Sequence, residues 1–427
     1  MTARGRLVPA VAFVAMGATV AVGLWLARVE GQELGLPYPP FIGRIAPAVT
    51  AWALVAAALF ALTVWLAPRL LSPRLPAAAF AAVVFALTLA LRLALGASSG
   101  GTAQWPRVFD PTGFEGPNEY LPALAALRYG PGFFLDRFAE LVPALPVHAA
   151  GHPPGLLLVM DRFGITTPEG LAALCIAGGA LVAPLAYALG RQLLDERRAR
   201  LAGLLCAVAP SVLLFGATSA DALFATLGLL AAWPLVSARR DARVVGAVAL
   251  AVGSLFAWSL LAIGAWAALL AWRRRGFRAM LALGLLCGVV LVAVHALLAA
   301  ATGFDPIGTL RATEQVYRLG IASERPYWFW LPGSPTAFLL VLGLPIAWLA
   351  LRALAAGEDA ALAIFAVIAI AAVAGFTKAE VERIWLGFAP LVCLAAGSVL
   401  QDRHLRPVLG LLAVQALAWE AVWNTVW

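Results

Sequence analysis

The amino-acid sequence predicts an all-α polytopic membrane protein with about thirteen transmembrane helices. Three observations carry this reading. Of 427 residues, 63% are hydrophobic and only 12% are charged, too little charge to cover a water-soluble protein of this length. Apolar runs of about eighteen residues or more recur along the chain, each long enough to cross a bilayer. The arginines collect in alternate short loops between these runs, as the positive-inside rule describes.

In chain order, three apolar segments occupy about 7–28, 46–67 and 77–96. Ten more follow a large polar loop, at about 167–190, 199–217, 219–237, 243–257, 258–272, 277–300, 335–354, 359–376, 384–400 and 406–425. The first run, Leu7 to Ala27 behind Arg4 and Arg6, has the look of a signal sequence, but its length fits a retained first helix. The stretch 243–272 reads either as one long tilted helix or as two short ones. With Arg4 and Arg6 inside, the inside loops carry Arg69 and Arg74, then Arg191, Arg197, Arg198 and Arg200, then Arg239, Arg240 and Arg243. Arg273, Arg274, Arg275 and Arg278 follow, and finally Arg403 and Arg406. This alternation needs two helices within 243–272, and it leaves the C-terminus, near Trp427, outside. The formal charge of +8 therefore reports topology; no basic patch with interleaved aromatics points to nucleic acid. All 4 cysteines (Cys175, Cys206, Cys287, Cys393) lie in apolar segments without CxxC spacing and read as small core residues.

The chain reads as one transmembrane domain over 1–427: three N-terminal helices in 1–96, an acidic loop over 97–155, and the remaining helices in 156–427, with further outer loops near 302–334 and 377–383. The alternation puts four polar features on the outer face: Asp110–Gly155, the corner Thr218-Ser219-Ala220-Asp221, Thr302–Ser334 and Thr377–Arg383. The first is the longest polar interruption and holds Asp110, Glu115, Glu119, Asp136, Glu140, His148 and His152. In so apolar a chain, carboxylates and imidazoles gathered together point to chemistry or ion binding at a membrane surface. Within it, EYLPALAALRYGPGFFLDRFAEL has the pattern of helices lying in the interface plane, broken at Pro131-Gly132. The alternative is a lid that merely caps the bundle. His152-Pro153-Pro154-Gly155 forms a rigid turn expected to fix how the chain re-enters the membrane.

The ordered set resembles the GT-C glycosyltransferases: Glu119-Tyr120 early in the outer loop, interfacial helices, then HPPG before a helix. The closest likenesses are the protein O-mannosyltransferase and aminoarabinose-transferase branches. The likeness continues through YALGRQLLDERRARLAGLLCAVAPSVLLFGATSADALF to Asp221 and covers roughly residues 105–240. Two features depart from the family: three apolar segments precede the loop, and its paired Asp-Glu is Asn118-Glu119 here, with Asp110 as the rival carboxylate.

The resemblance implies a glycosyltransferase using a polyprenyl-phosphate-linked sugar as donor, with an acceptor (lipid, glycan or protein) on the outer side of a bacterial plasma membrane. Such an enzyme holds no nucleotide, and no Rossmann or P-loop fingerprint is present. It implies Glu119 or Asp110 as the general base that takes the proton of the acceptor hydroxyl. Tyr120, His152 and Asp221 would line the site. The departing lipid phosphate requires cations. Two outer stretches supply them: Arg311, Arg318 and Arg325 in one, Lys378 (the sole lysine) and Arg383, with Glu380, in the other. Plain alternatives are an i,i+4 pair between Lys378 and Glu382 and an i,i+3 bridge between Glu380 and Arg383. His152 either binds a divalent metal with Glu119, orients a carboxylate, or is a structural hydrogen-bonder in its turn; no ligand spacing is diagnostic. Asp221 also suits a helix cap, as do Thr218 and Ser219. The rival functional class is a lipid-linked sugar flippase or secondary transporter, which places ionisable residues near the bilayer midplane. A scaffold with a degenerate site is the third.

Overall fold

The structure is a computed structural model that describes residues 4–216 and 219–425. Thr218 and Trp427, expected to cap a helix and to mark the outer end of the chain, lie outside the described residues. The chain is almost wholly helical; among the described residues, strand is confined to an antiparallel pairing of Arg44–Ile45 with Trp423–Asn424. Among the described residues, six helices are long and apolar enough to cross a membrane: Gly5–Arg28, Trp52–Leu70, Ala77–Gly96, Pro168–Leu193, Phe277–Thr302 and Asp402–Val422. A seventh arises if Tyr327–Leu342 and Leu344–Ala355, bent by 116° at their break, count as one span. The other expected segments hold shorter helices. A helix of 15 residues such as Asp221–Leu235 reaches about 22 Å, short of the roughly 30 Å of a hydrocarbon core.

The exposed apolar surface makes this a membrane protein. The 26-residue helix Phe277–Thr302 is apolar on all sides, and only 11% of its most apolar window is buried. Leu285, Val289, Val292 and Leu297 all project from it unshielded. Surface of this kind is stable only against lipid.

Side-chain contacts gather the loops at two ends. At the arginine-rich end, Arg200 donates to the carbonyls of Leu70, Ser72 and Leu75. Arg197 pairs with Asp402, Arg273 with Asp359, and Arg274 donates to Leu193 O. The polar loops meet at the other end. Residues 243–272 resolve into two helices, Arg240–Gly253 and Leu261–Arg275, separated by a break whose Leu255 carbonyl accepts the Gly155 N–H at 2.7 Å. That break lies at the polar end, as the loop alternation required.

The acidic loop folds as short helices, including Gly116–Asn118, Leu121–Leu127, Pro131–Asp136 and Phe138–Leu141. Leu121, Leu127, Phe134 and Phe138 are buried, so the loop covers the bundle with its apolar face. The break falls at Gly130, and Pro131 opens the next helix at a position where its missing N–H costs nothing. HPPG is followed by a helix as expected, the 9-residue Gly155–Phe163, which Gly164 ends in a left-handed conformation. The long apolar helix begins after Thr167, whose side chain accepts the Gly170 N–H. What HPPG fixes is the packing of Gly155 onto Leu255, where a Cβ would collide with the Leu255 carbonyl.

Candidate functional site

The polar loops converge on one buried ion network. Glu115, Glu119 and His148 come from the acidic loop, Asp221 from the start of its helix, Arg325 from the loop before Tyr327, and Glu380 and Arg383 from the last polar loop. His148 Nε2 lies 2.9 Å from Glu115 Oε1 and 3.8 Å from Glu119 Oε1. Arg383 donates to Asp221 Oδ2 at 2.7 Å and to Glu380 Oε2 at 2.8 Å, and its Nη2 stands 3.4 Å from His148 Nδ1. Arg325 donates to the other Glu380 oxygen at 2.5 Å. Glu119, Asp221, Arg325 and Arg383 are each exposed by 5% or less. Charges so deeply buried persist only when paired.

Local sequence places each member. The turn Gly116–Asn118 is closed by the Glu119 N–H on the Gly116 carbonyl at 3.1 Å. Gly116 sits against the Asp110 carbonyl, where a Cβ has no room. Ser219 Oγ accepts the Asp221 N–H at 3.1 Å and donates to Asp221 Oδ2 at 2.7 Å, aiming that carboxylate at Arg383. Asp221 therefore does not cap its helix; Ser219 closes the turn instead. Ala379 and Glu380 both have left-handed backbones (φ 63° and 56°), a strain of about 1–2 kcal/mol each for residues with a Cβ. Lys378 holds that turn in place. Its N–H donates to Tyr317 Oη, its carbonyl accepts from Arg325, and its Nζ donates to the Ala322 and Arg325 carbonyls at 2.7 and 2.6 Å.

The electrostatics follow from burial and pairing. Burial works against the Glu380 carboxylate, but Arg383 and Arg325 overcome it and bring its pKa down to about 2. Burial likewise opposes the His148 imidazolium, yet the Glu119 charge and the Glu115 hydrogen bond raise its pKa above the ordinary 6.5. Arg383 is pushed up as well, its burial outweighed by Asp221, Glu380 and Glu119. His152 behaves oppositely: burial brings it down to about 4 despite the pull of Asp221, so it stays neutral. It is wedged between the rings of Phe224 at 5.0 Å and Tyr120 at 6.2 Å. Burial, and then the charges of Glu119 and Asp221, raise Tyr120 well above its ordinary value. Glu382 is buried beside the network. Its Oε1 accepts the Ile42 N–H at 2.9 Å, its Oε2 has no partner among the described residues, and burial raises its pKa to about 7.

Of the residues singled out from sequence, Glu119, Asp221, Glu380 and Arg383 meet in the network, and Tyr120 and His152 pack beside it. Four do not reach it. Asp110 closes a turn on Thr112, accepting its N–H at 2.9 Å and its hydroxyl at 2.8 Å, and these bonds lower its pKa. Arg311 is exposed, and Arg318, also exposed, pairs with Glu314 at 2.6 Å. Lys378 clamps carbonyls and makes no pair with Glu382, whereas the Glu380–Arg383 bridge is present. Among the described residues, no group of three or more His, Cys, Asp or Glu is arranged to hold a metal ion.

The sequence pattern points to no role for Glu115 or His148 and only to a pair with Lys378 for Glu382; Arg325, expected among the cations for the phosphate, instead pairs with Glu380. A signal for two of them was present. Glu115 precedes Glu119 by four positions, and His148 precedes His152 by four, the spacing that brings side chains to one side of a helical turn. Arg92, buried in the Ala77–Gly96 helix, was also passed over. It donates to the Gly216 carbonyl at 3.3 Å, while its Nε and Nη2 have no partner among the described residues.

No known protein family and no curated protein matches the chain. What the arrangement can do chemically rests on its own geometry. A carboxylate beside an imidazole that is itself hydrogen-bonded to a second carboxylate can accept a proton and pass it on. A buried arginine shared between two carboxylates can exchange one of them for an anion of similar shape.

Proposed function

We propose that the protein is a GT-C-like membrane glycosyltransferase, with about thirteen membrane-crossing segments and its site on the extracytoplasmic face of a bacterial plasma membrane. In this reading a sugar passes from a polyprenyl-phosphate carrier to an acceptor hydroxyl. The observation that carries it is the convergence of Glu119, Asp221, Glu380 and Arg383, residues from three separate polar loops, on one buried network. The arginine-rich loops at the opposite end support the orientation.

The acceptor oxygen forms a bond to the anomeric carbon while the bond from that carbon to the phosphate oxygen breaks. The phosphate leaves with the electron pair. Glu119 takes the acceptor proton, and His148, 3.8 Å away and backed by Glu115, holds Glu119 ionised until then. Arg383 meets the departing phosphate by exchanging one of its carboxylates, and Glu380 remains tied to Arg325 meanwhile. A positioned base contributes about 10²–10⁴-fold. The test is purified protein in nanodiscs with a panel of radiolabelled polyprenyl-phosphate sugars. Turnover of one donor should fall by about that factor in Glu119→Gln; transfer at the wild-type rate in that variant would overturn the assignment.

One observation favours the second reading, a lipid-linked sugar flippase or secondary transporter. Arg92 is a fully buried charge within a spanning helix, the kind of residue that marks transport pathways. Donor binding without turnover, together with flipping in vesicles that is lost in Arg92→Gln, would establish that reading instead.

A further inference from the structure

A groove of about 470 Å³ runs between the Trp52–Leu70 and Leu405–Val422 helices, remote from the ion network. Small residues one turn apart form its floor: Ala57 and Ala61 on one helix, Gly410 and Ala413 on the other. Its arginine-rich end is closed by Trp65 and by Arg406, the one charged residue lining it. One turn beyond Trp65, the Arg69 guanidinium lies 4.0 Å over the Trp65 ring.

The charge at this end is available. Arg197, Arg200 and Arg273 pair with carboxylates at the same end of the bundle. Among the described residues Arg406 and Arg69 form no ion pair, and Asp402, one turn before Arg406, is held by Arg197. The groove also has the right depth. From Arg406 to Leu417 the helix rises about 16 Å, close to one leaflet's half of a hydrocarbon core of about 30 Å. It therefore runs from headgroup level to the bilayer midplane and is cationic only at the headgroup level.

We propose that this groove holds one anionic phospholipid of the leaflet at the arginine-rich end, an acyl chain lying on Ala57, Ala61, Gly410 and Ala413 and the headgroup phosphate at Arg406 and Arg69. Trp65 supplies the amphipathic ring at the boundary between the two. The site does not depend on glycosyl transfer and survives if that reading fails.

The test is native mass spectrometry of the full chain released from detergent with dioleoyl phosphatidylglycerol or dioleoyl phosphatidylcholine. The expected result is one retained phosphatidylglycerol, preferred by about thirtyfold over phosphatidylcholine for two juxtamembrane cations, with retention falling as salt rises. Arg69→Gln/Arg406→Gln, both on the surface, should erase the preference, and Ala61→Trp should block retention of either lipid. Equal, salt-insensitive retention of both lipids by the wild-type protein overturns the proposal whatever the variants do. So does a dimer that Ala61→Trp disrupts, which would give the groove to a second copy of the chain.

Discussion

Replacing Glu382 by glutamine should change how stability responds to pH. The Glu382 side chain is 1% exposed, one oxygen accepts the Ile42 N–H at 2.9 Å, and the other has no partner among the described residues. Burial is the largest influence, and the neighbouring Glu380 adds to it against the pull of Arg383, so the carboxyl keeps its proton up to about pH 7 rather than 4.5. The unfolded chain releases that proton near 4.5, so between these two pH values the folded state binds more protons. The contribution of this group to stability must then fall as pH rises through the window, by about 1.4 kcal/mol per pH unit and about 3 kcal/mol in all. Glutamine keeps an acceptor for Ile42; the neutral acid already has one unpaired O–H, and the amide adds one more unpaired buried donor, a cost of about 1–3 kcal/mol. Glu382→Gln should therefore be the less stable protein at pH 5 and lose that disadvantage, or overtake wild type, by pH 8. Unfolding in mixed micelles at several pH values between 5 and 8 measures the difference. Wild-type and variant stabilities that run parallel across that range would refute the reasoning.

Arg383→Met should cost about 3–5 kcal/mol, because it strands Asp221 as a buried charge and leaves Glu380 with Arg325 alone; adding Asp221→Asn should recover part of the loss in a double-mutant cycle. Ala379→Gly should stabilise by about 1 kcal/mol in the same unfolding assay, since glycine relieves the left-handed strain at that position; a destabilisation would show that the Ala379 side chain packs for more than its strain. Lowering pH through the ordinary 4.5 of a glutamate toward about 2 should remove the stability that Glu380 contributes as a paired carboxylate, and Glu380→Gln should flatten that acid limb. In the donor assay, Asp110→Asn should lower turnover far less than Glu119→Gln, because asparagine also closes a turn of the Asp110–Thr112 kind and the position lies outside the network.

The sequence by itself determined the all-helical membrane architecture, the alternation of arginine-rich and polar loops, and the division of 243–272 into two helices. Hydropathy and loop charge are local properties, summed over about twenty neighbouring residues, so they are legible without knowing what packs against what. It also marked Glu119, Asp221, Glu380 and Arg383, because ionisable residues stand out in a chain this apolar. Helix lengths were less legible, since breaks such as those at Gly343 and before Pro210 depend on what the neighbouring helices accommodate.

Only the tertiary structure decided which ionisable groups belong together. His148 and Arg383 are 235 positions apart and Arg325 and Glu380 are 55 apart, so no spacing rule reaches them. Asp110, Arg311 and Arg318 carry the same charges as network members, yet each is satisfied locally or left in solvent. Burial separates the two groups. An exposed charge needs no partner, whereas a buried one is stable only where the fold brings its counter-charge, and that meeting is a property of the folded chain.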